Sequence, residues 1–216
     1  MRKLLITITL CIITITAGAQ VFLDYATIED IVKNERKYFD DIVNIYKNDD
    51  PMLRVDDIAL VYYGQAFLPQ YKPGADENEK ALKRFHDEGN DIEAYNTAKK
   101  ILEYNPVSLN ALFNLLVTSN KLGKSKEEFN SYATKYQGII NMITQYGDGK
   151  TSSTAFKVIT PDDQNYILFH ELEIQNEISR DLDTETLCNI IYVEPSEKYR
   201  SRRVYFDLSL FLKHTK

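Results

Sequence analysis

Before residue 150, apolar residues recur at three- and four-residue steps, which is the spacing of one face of an α-helix. Pro51, Pro69 and Asn105-Pro106 interrupt this pattern, and such residues end helices or open turns. A highly charged segment, residues 75–89, is interpreted as a short exposed helix. The pattern predicts apolar-striped helices over residues 24–46, 55–68, 91–104, 108–122 and 125–146.

The turns in the most regular part of this region carry helix-capping residues. Ser108 is a suitable N-cap for the helix that follows it. Gly123 supplies a left-handed C-cap, and Ser125 with Glu128 forms the pattern of a capping box. These residues predict where the last two helices of the region begin and end.

The order of elements in this region resembles a tetratricopeptide-type array with blocks of about 34 residues. The order is helix, Asn-Pro, helix, glycine, helix. The similarity covers residues 91–146, and Leu112 and Leu116 stand where the repeat usually has an aromatic residue and a glycine. Because a free-standing array needs at least three repeats, we expect helical hairpins that pack against another part of the chain.

After Lys150 the pattern changes to short runs of β-branched and alternating residues. Residues 155–159 and 187–193 are predicted strands, with 203–208 as the hairpin partner of the second, and Pro161–Asp163 opens a short helix. The sequence therefore predicts an α+β fold: N-terminal helical hairpins, tetratricopeptide-like, followed by a small C-terminal antiparallel β-sheet with a short helix.

The first residues have the pattern of a cleavable signal peptide. Arg2 and Lys3 precede the run 4–15, which contains apolar residues and threonines, and Ala17-Gly18-Ala19 provides the small residues of a cleavage site. The run is shorter than the roughly 20 apolar residues of a membrane anchor. Cleavage between Ala19 and Gln20 is expected, which predicts a periplasmic or extracellular protein without a membrane span. The predicted divisions are a signal peptide at 1–19, a helical region at 20–150 and a small α+β region at 151–216 packed on it.

One of the two cysteines is predicted to be removed with the signal peptide, and the other to remain in the protein. Cys11 follows a leucine and lies inside the apolar run, so it does not fit the site of a lipid anchor. Cleavage leaves Cys188 alone, and an internal disulfide is then impossible. Cys188 is interpreted as a buried strand residue.

The charge argues against some classes of partner. Without Arg2 and Lys3, the chain has 24 basic and 32 acidic side chains, a net charge of about −8. A nucleic-acid-binding protein needs a basic face, so no nucleic-acid partner is expected. The 15 tyrosines and 10 phenylalanines are interpreted mainly as packing residues, with a carbohydrate or peptide groove as the alternative.

One turn looks like part of a phosphate-binding loop. Gly147, Asp148, Gly149 and Lys150 precede a threonine, but Thr144 stands where that loop needs its first glycine. A helix is predicted before the turn and a strand after it, which is the reverse of the required order. The turn is therefore interpreted as a helix end with a structural or binding role.

The ionisable residues form no motif of a known reaction. His86, His170 and His214 have no metal-ligand spacing, and His170 is interpreted as part of a solvated helix end. Asp162 and Asp163 are interpreted as acidic residues at a helix start. No catalytic residue, metal ligand or cofactor is predicted.

Six short motifs occur in an order that resembles one known family. They are Tyr62-Tyr63-Gly64, Tyr71-Lys72-Pro73, Asn105-Pro106, Gly147-Asp148-Gly149-Lys150, Phe156–Ile159 and Tyr205–Asp207. The ordered set is similar to a family of exported proteins of Bacteroidales-type bacteria called domain of unknown function, number forty-nine nineteen. The resemblance implies a periplasmic or surface location and no particular activity.

The repeat-like helices favour a non-catalytic component of the bacterial cell envelope that binds a protein or peptide on a concave face. Tyr62, Tyr63 and Gly64 are the predicted binding residues. The alternative is a small envelope hydrolase that acts on glycan or peptide, with acidic residues near those tyrosines and near the 147–150 turn. A neutralising or inhibitor protein is a third possibility to which no residue points.

Overall fold

The computed structural model describes residues 24–214. The predicted signal peptide and Cys11 lie outside the described residues. Seven helices come first in the described chain: α1 Tyr25–Asn34, α2 Arg36–Lys47, α3 Val55–Gly64, α4 Glu77–Asp87, α5 Asp91–Tyr104, α6 Leu109–Lys121 and α7 Lys126–Tyr146.

The helices follow the sequence pattern closely, with two differences. The first predicted helix is divided at Glu35, whose φ of −116° and ψ of 42° are not helical. The second ends at Gly64 and continues as a 3-10 turn over Gln65–Phe67. The Ser108 and Ser125 hydroxyls accept hydrogen bonds from the backbone N–H groups three residues later, and Gly123 has a φ of +63°, as predicted. Only half of the predicted capping box is formed, because the Glu128 carboxylate accepts hydrogen bonds from Tyr95 and Tyr132.

Helices α4, α5, α6 and α7 each pack against the next one along the chain. A small apolar cluster fills the space between α4, α5 and α6, with Leu82, Ala98, Ile101 and Leu115 completely buried. Leu82 is the only fully buried residue of the charged helix α4, which explains why its sequence shows so weak an apolar stripe.

The C-terminal region contains a sheet and two short helical segments. The strands are β1 Phe156–Lys157, β2 Glu177–Asp183, β3 Cys188–Val193 and β4 Arg203–Asp207, in the order β1-β4-β3-β2. Helix α8, Asp163–Asn165, runs into a π-helical segment, Tyr166–Glu171, and α9 is Ser209–His214.

The fold class is confirmed, but the sheet is mixed. The predicted hairpin of β3 and β4 is antiparallel, with Ile191 opposite Val204, whereas β1 pairs with β4 in parallel. Strand β2 was not predicted because its charged sequence is exposed at the sheet edge and has no apolar face. Cys188 is buried in β3, as expected.

Helix α3 joins the two regions into one main core. Every residue of α3 from Ala59 to Gly64 is buried, so this part of the helix is covered on all sides instead of along one stripe. It contacts α1, α2 and α7, and its tyrosines reach the segment that begins with β1. The main core includes residues of α1, α2, α3 and α7 together with residues of β1, β3 and β4.

Gly64 lies at a point of close approach in this core. A Cβ added to Gly64 would lie 2.5 Å from a ring carbon of Phe39 and 3.2 Å from a methyl group of Val32. We expect Gly64→Ala to lower the free energy of unfolding by about 1–3 kcal/mol because the core must shift to admit the methyl group. Urea denaturation of the purified protein that starts at Gln20 measures this loss.

Phe39→Leu provides the control for Gly64→Ala because it shortens the obstructing side chain. The cost of Gly64→Ala should be smaller in a chain that already carries Phe39→Leu, which a double-mutant cycle detects. Equal costs in the two backgrounds would show that this ring does not set the requirement for glycine.

Candidate functional site

An open cavity of about 580 Å³, here called the cleft, lies where α4 and α6 face the segment 159–170. Its volume is within the range of sites that bind small molecules or single side chains of a peptide. Aromatic and polar groups line it together. The aromatic residues are Tyr71, Tyr104, Phe113, Tyr166, Phe169 and Phe211.

The beginning of α4 supplies one side of the cleft. Asp76 is the N-cap, and its Oδ1 accepts hydrogen bonds from the backbone N–H groups of Asn78 and Glu79, at 2.8 and 3.2 Å. Its Oδ2 accepts a hydrogen bond of 2.8 Å from the Tyr104 hydroxyl of α5. The cap therefore fixes both the first turn of α4 and an aromatic wall of the cleft.

Glu79 is held between α4 and α6. One carboxylate oxygen accepts a hydrogen bond of 2.7 Å from the Ser108 hydroxyl, and the other accepts one of 2.6 Å from the Asn110 amide. Burial raises the pKa of the Glu79 carboxyl, and these two hydrogen bonds offset part of that change. Repulsion from Asp76 and Asp162 also raises it.

A chain of hydrogen bonds continues from Glu79 along α6. Asn110 Oδ1 accepts from the Asn114 amide at 2.9 Å and from the Tyr166 hydroxyl at 3.2 Å. Asn114 Oδ1 is 2.7 Å from His86 Nδ1, and since an amide oxygen only accepts, that nitrogen is the donor. The network holds the polar wall of the cleft in place from Glu79 and His86 on α4 to Tyr166 in the segment 159–170.

Asp163 is the most deeply buried carboxyl group of the cleft, with only 6% of its surface exposed. Its Oδ2 accepts hydrogen bonds from the Tyr62 hydroxyl, at 2.7 Å, and from the backbone N–H of Thr160, at 3.2 Å. Within the described chain, no group donates to its Oδ1. Burial raises the pKa of Asp163 to about 7, although its hydrogen bonds favour the charged form.

The π-helical segment Tyr166–Glu171 supplies the aromatic end of the cleft. The rings of Phe113 and His170 have centroids 4.6 Å apart, and those of Phe113 and Tyr166 are 5.6 Å apart. Burial against these rings lowers the pKa of His170. His170 was expected on a solvated helix end and is still exposed, but one face of its ring is covered. Single π-turns are rare and often occur at functional sites.

The predicted binding residues Tyr62, Tyr63 and Gly64 are buried in the core and do not line the cleft. The Tyr63 hydroxyl donates a hydrogen bond of 3.1 Å to the Lys157 carbonyl. The structure buries all three because α3 is covered on every side from Ala59 to Gly64. Tyr62 reaches the cleft through its hydrogen bonds with Asp163 and Ile159, so a role in binding stays a prediction and would be indirect.

The turn formed by Gly147, Asp148, Gly149 and Lys150 also lies outside the cleft. The Gly149 carbonyl accepts hydrogen bonds of 2.8 Å from the Tyr199 hydroxyl and from the Tyr205 backbone N–H. Asp148 accepts from the Thr154 hydroxyl at 2.6 Å and pairs with Lys150 at 2.9 Å. These contacts connect the end of α7 to the sheet, while a binding role of the turn stays a prediction.

Neither Glu79 nor Asp163 was recognised from the sequence as a site residue. Glu79 lies in a segment rich in other charges, and Asp163 is one of several acidic pairs. The one available signal was Asn110 with Asn114, since two asparagines four residues apart on a leucine-rich helix share a face. That face is the wall of the cleft.

The described residues contain no group of three or more His, Cys, Asp or Glu side chains placed to hold a metal ion. None of their helices is long and apolar enough to cross a membrane.

Comparison with known proteins gives one match. A family model described as domain of unknown function (DUF4919) matches residues 26–216. No curated protein and no solved structure matches this chain. The single match covers nearly all of the chain after the predicted signal peptide, and the shared family extends through both regions of the fold.

The pKa of Asp163 leads to a test based on pH. Because this pKa is raised from 3.8 to about 7, the folded protein binds a proton more tightly than the unfolded chain does, so the stability from that proton is lost as pH rises toward 7. Asp163→Asn cannot lose a proton. The free energy of unfolding of the wild type should fall by about 2–3 kcal/mol relative to that of Asp163→Asn between pH 5 and pH 8.

Urea denaturation of both proteins at the two pH values measures this difference, and other groups cancel because they are common to both chains. A constant difference between pH 5 and pH 8 would mean that Asp163 titrates in the folded protein as it does in the unfolded chain.

Proposed function

The chain belongs to the family described as domain of unknown function (DUF4919), and we propose that it is a non-catalytic protein that binds a peptide or protein segment in the cleft. The observation that carries the proposal is the combination of an open cavity of about 580 Å³ with aromatic rings and ordered polar groups along its walls. Rings of this kind contribute most of the binding energy at protein interfaces, while ordered polar groups provide specificity.

The walls of the cleft suit an extended chain. Hydrogen bonds with Glu79, Tyr166 and His86 hold the amide groups of Asn110 and Asn114 in place, so the polar wall that a peptide would meet is ordered. Phe169 is 41% exposed at the edge of the cleft, where a ligand would cover it. We further propose that α4 to α7 are tetratricopeptide-like hairpins, since arrays of that type bind extended segments on their concave faces.

The proposed setting is the cell envelope. A signal peptide ending at Ala19 would export the chain, and Gln20 would then be the first residue of the mature protein in the periplasm or outside the cell. The resemblance to exported proteins of Bacteroidales-type bacteria supports the same setting.

A hydrolase that acts on glycan or peptide is the second candidate, and one observation favours it. Glu79 and Asp163 line the same cleft, and both carboxyl groups have raised pKa values, as acids used in catalysis do. The cleft is therefore a better position for such chemistry than the neighbourhood of Tyr62, Tyr63 and the 147–150 turn, where the sequence had suggested it. Turnover of peptidoglycan fragments that disappears in both Glu79→Gln and Asp163→Asn would favour this candidate over simple binding.

The binding proposal is tested by selecting random peptides displayed on phage against the immobilised mature chain. Enriched peptides should bind the wild type and lose at least about tenfold in affinity with Phe169→Ala, since a buried aromatic contact typically contributes more than 1 kcal/mol. Fluorescence polarisation with labelled synthetic peptides measures each affinity.

Phe129→Ala is the matched control for Phe169→Ala. Phe129 is similarly exposed, at 38%, but lies on α7 and does not line the cleft. Its removal should leave the affinity unchanged. Peptides that lose affinity equally with both variants, or with neither, would place binding outside the cleft, and a selection that enriches no peptide would contradict the proposal.

Export is tested separately by expressing the full-length chain in a Gram-negative bacterium. Mass spectrometry of the periplasmic fraction should find Gln20 at the N-terminus because the small residues at 17 and 19 direct cleavage there. Replacing Ala17 and Ala19 with lysine should leave the precursor uncut. Recovery of the chain only in the cytoplasm with Met1 still attached would contradict export.

A further inference from the structure

We propose that the cleft binds a cationic nitrogen of its ligand, the ammonium or guanidinium group of a basic side chain, at Asp163. This inference rests on the proposed function, since it names the residue type that a bound peptide would present there. The juxtaposition that carries it is an Asp163 oxygen that opens into the cleft and receives no donor from the described chain, a surrounding excess of acidic groups and aromatic walls, all in one open cavity.

The first step concerns the free oxygen of Asp163. The side chain is 94% buried, from an exposure of 6%, and lines the cleft, while both of its donors, Tyr62 and Thr160, contact Oδ2. No described residue donates to Oδ1. Oδ1 is not among the buried polar atoms that lack a partner, so it is accessible from the cleft and free to accept a hydrogen bond from a bound ligand. A donor from the ligand would satisfy it.

The second step concerns charge. Asp76, Glu79 and Asp162 line the cleft together with Asp163, and the first and third raise the pKa of Glu79 by repulsion. A cation among these groups would reduce that repulsion, whereas an anion would increase it.

The lysines that line the cleft, Lys72, Lys80 and Lys83, are exposed and are fewer than the five carboxyl groups in its lining. Lys80 and Lys83 pair with Glu77 and Asp87, at 2.8 and 3.0 Å, on the exposed side of α4. Arg180 is bound by Glu177 at 2.6 Å, although it also donates to Asn165 near Asp162. Lys72 lies at the exposed edge of the cleft.

The third step concerns the walls. Phe113, Tyr166 and Phe169 lie on one side of the cleft, and Tyr104 lies on another. Aromatic faces attract cations, and their apolar surface also suits the methylene groups of a lysine or arginine side chain. A neutral sugar would use the same oxygen acceptors but would gain nothing from the excess of negative charge.

The test uses small probes, so it does not depend on finding a natural ligand. N-acetyl-lysine-N-methylamide is titrated into the ¹⁵N-labelled mature chain, and backbone amide resonances are followed by NMR. We expect saturable shifts confined to the cleft, with a Kd on the order of 1 mM, as is usual for a ligand of this size. The norleucine analogue has the same chain of carbons without the ammonium group and should bind at least about tenfold more weakly.

Variants then locate the cation. Asp163→Asn and Glu79→Gln should each weaken binding of the lysine probe by about tenfold and leave binding of the norleucine analogue unchanged. Glu93→Gln is the matched control because Glu93 is exposed on the neighbouring helix α5 and does not line the cleft. The amide spectrum of each variant verifies its fold, and Glu79→Gln suffices if Asp163→Asn is unfolded.

Several results would overturn the inference. It fails if the lysine and norleucine probes bind with equal affinity, or if N-acetylglucosamine binds more tightly than the lysine probe. It also fails if no amide resonance of the cleft shifts at about 20 mM lysine probe. If selected peptides still bind in a manner that depends on Phe169, only the cationic preference fails. If neither the probes nor any displayed peptide binds, the proposed function fails as well.

Discussion

The hydrogen bond between Tyr62 and Asp163 is the contact on which the arrangement of the two regions depends. Tyr62 is on α3, a helix buried on all sides, and Asp163 begins α8 in the C-terminal region. The same hydroxyl accepts a hydrogen bond of 3.3 Å from the Ile159 backbone N–H, so it binds the segment at two points. Because both partners are buried, removal of either one would take from the other one of its two hydrogen bonds in the core.

This contact also determines the chemistry of the cleft. It holds Oδ2 of Asp163 toward the core and leaves Oδ1 to the cleft, where no described residue donates to it. Burial favours the protonated form of Asp163, while the donors on Oδ2 favour the carboxylate, and the result is a group that titrates near neutral pH. The core and the cleft are therefore coupled. The packing of α3 positions Tyr62, which helps to set the protonation of Asp163, a side chain that a ligand in the cleft would contact.

Helix α6 connects the two apolar clusters to the polar wall. Leu109 belongs to the main core and Ala111 to the smaller cluster, and residues two apart on a helix point to opposite sides, so both sides of the helix are buried. Asn110 and Asn114 occupy the remaining side, which faces the cleft. A helix fixed by packing on two sides holds its third side rigidly, and rigid polar groups bind with less loss of entropy than mobile ones do.

The sequence by itself determined the helices, their caps and the β3–β4 hairpin, because these depend on local spacing and on residues such as Ser108, Gly123 and Ser125. It also indicated the family through short ordered motifs, including Tyr62-Tyr63-Gly64. It did not reveal β2, whose pairing with β3 is made by the backbone and whose exposed charges show no alternation.

The contacts of the tyrosines and carboxyl groups depend on parts of the chain that come together only in the folded protein. Glu79 meets Ser108 and Asn110 about thirty residues away in the chain, and Asp163 meets Tyr62 at a separation of 101 residues. No local sequence pattern predicts these long-range hydrogen bonds, since the residues next to an aspartate in the sequence do not show whether its side chain will be buried. The free energy of burial, and with it the pKa of each carboxyl group, depends on neighbours that only the folded chain brings together.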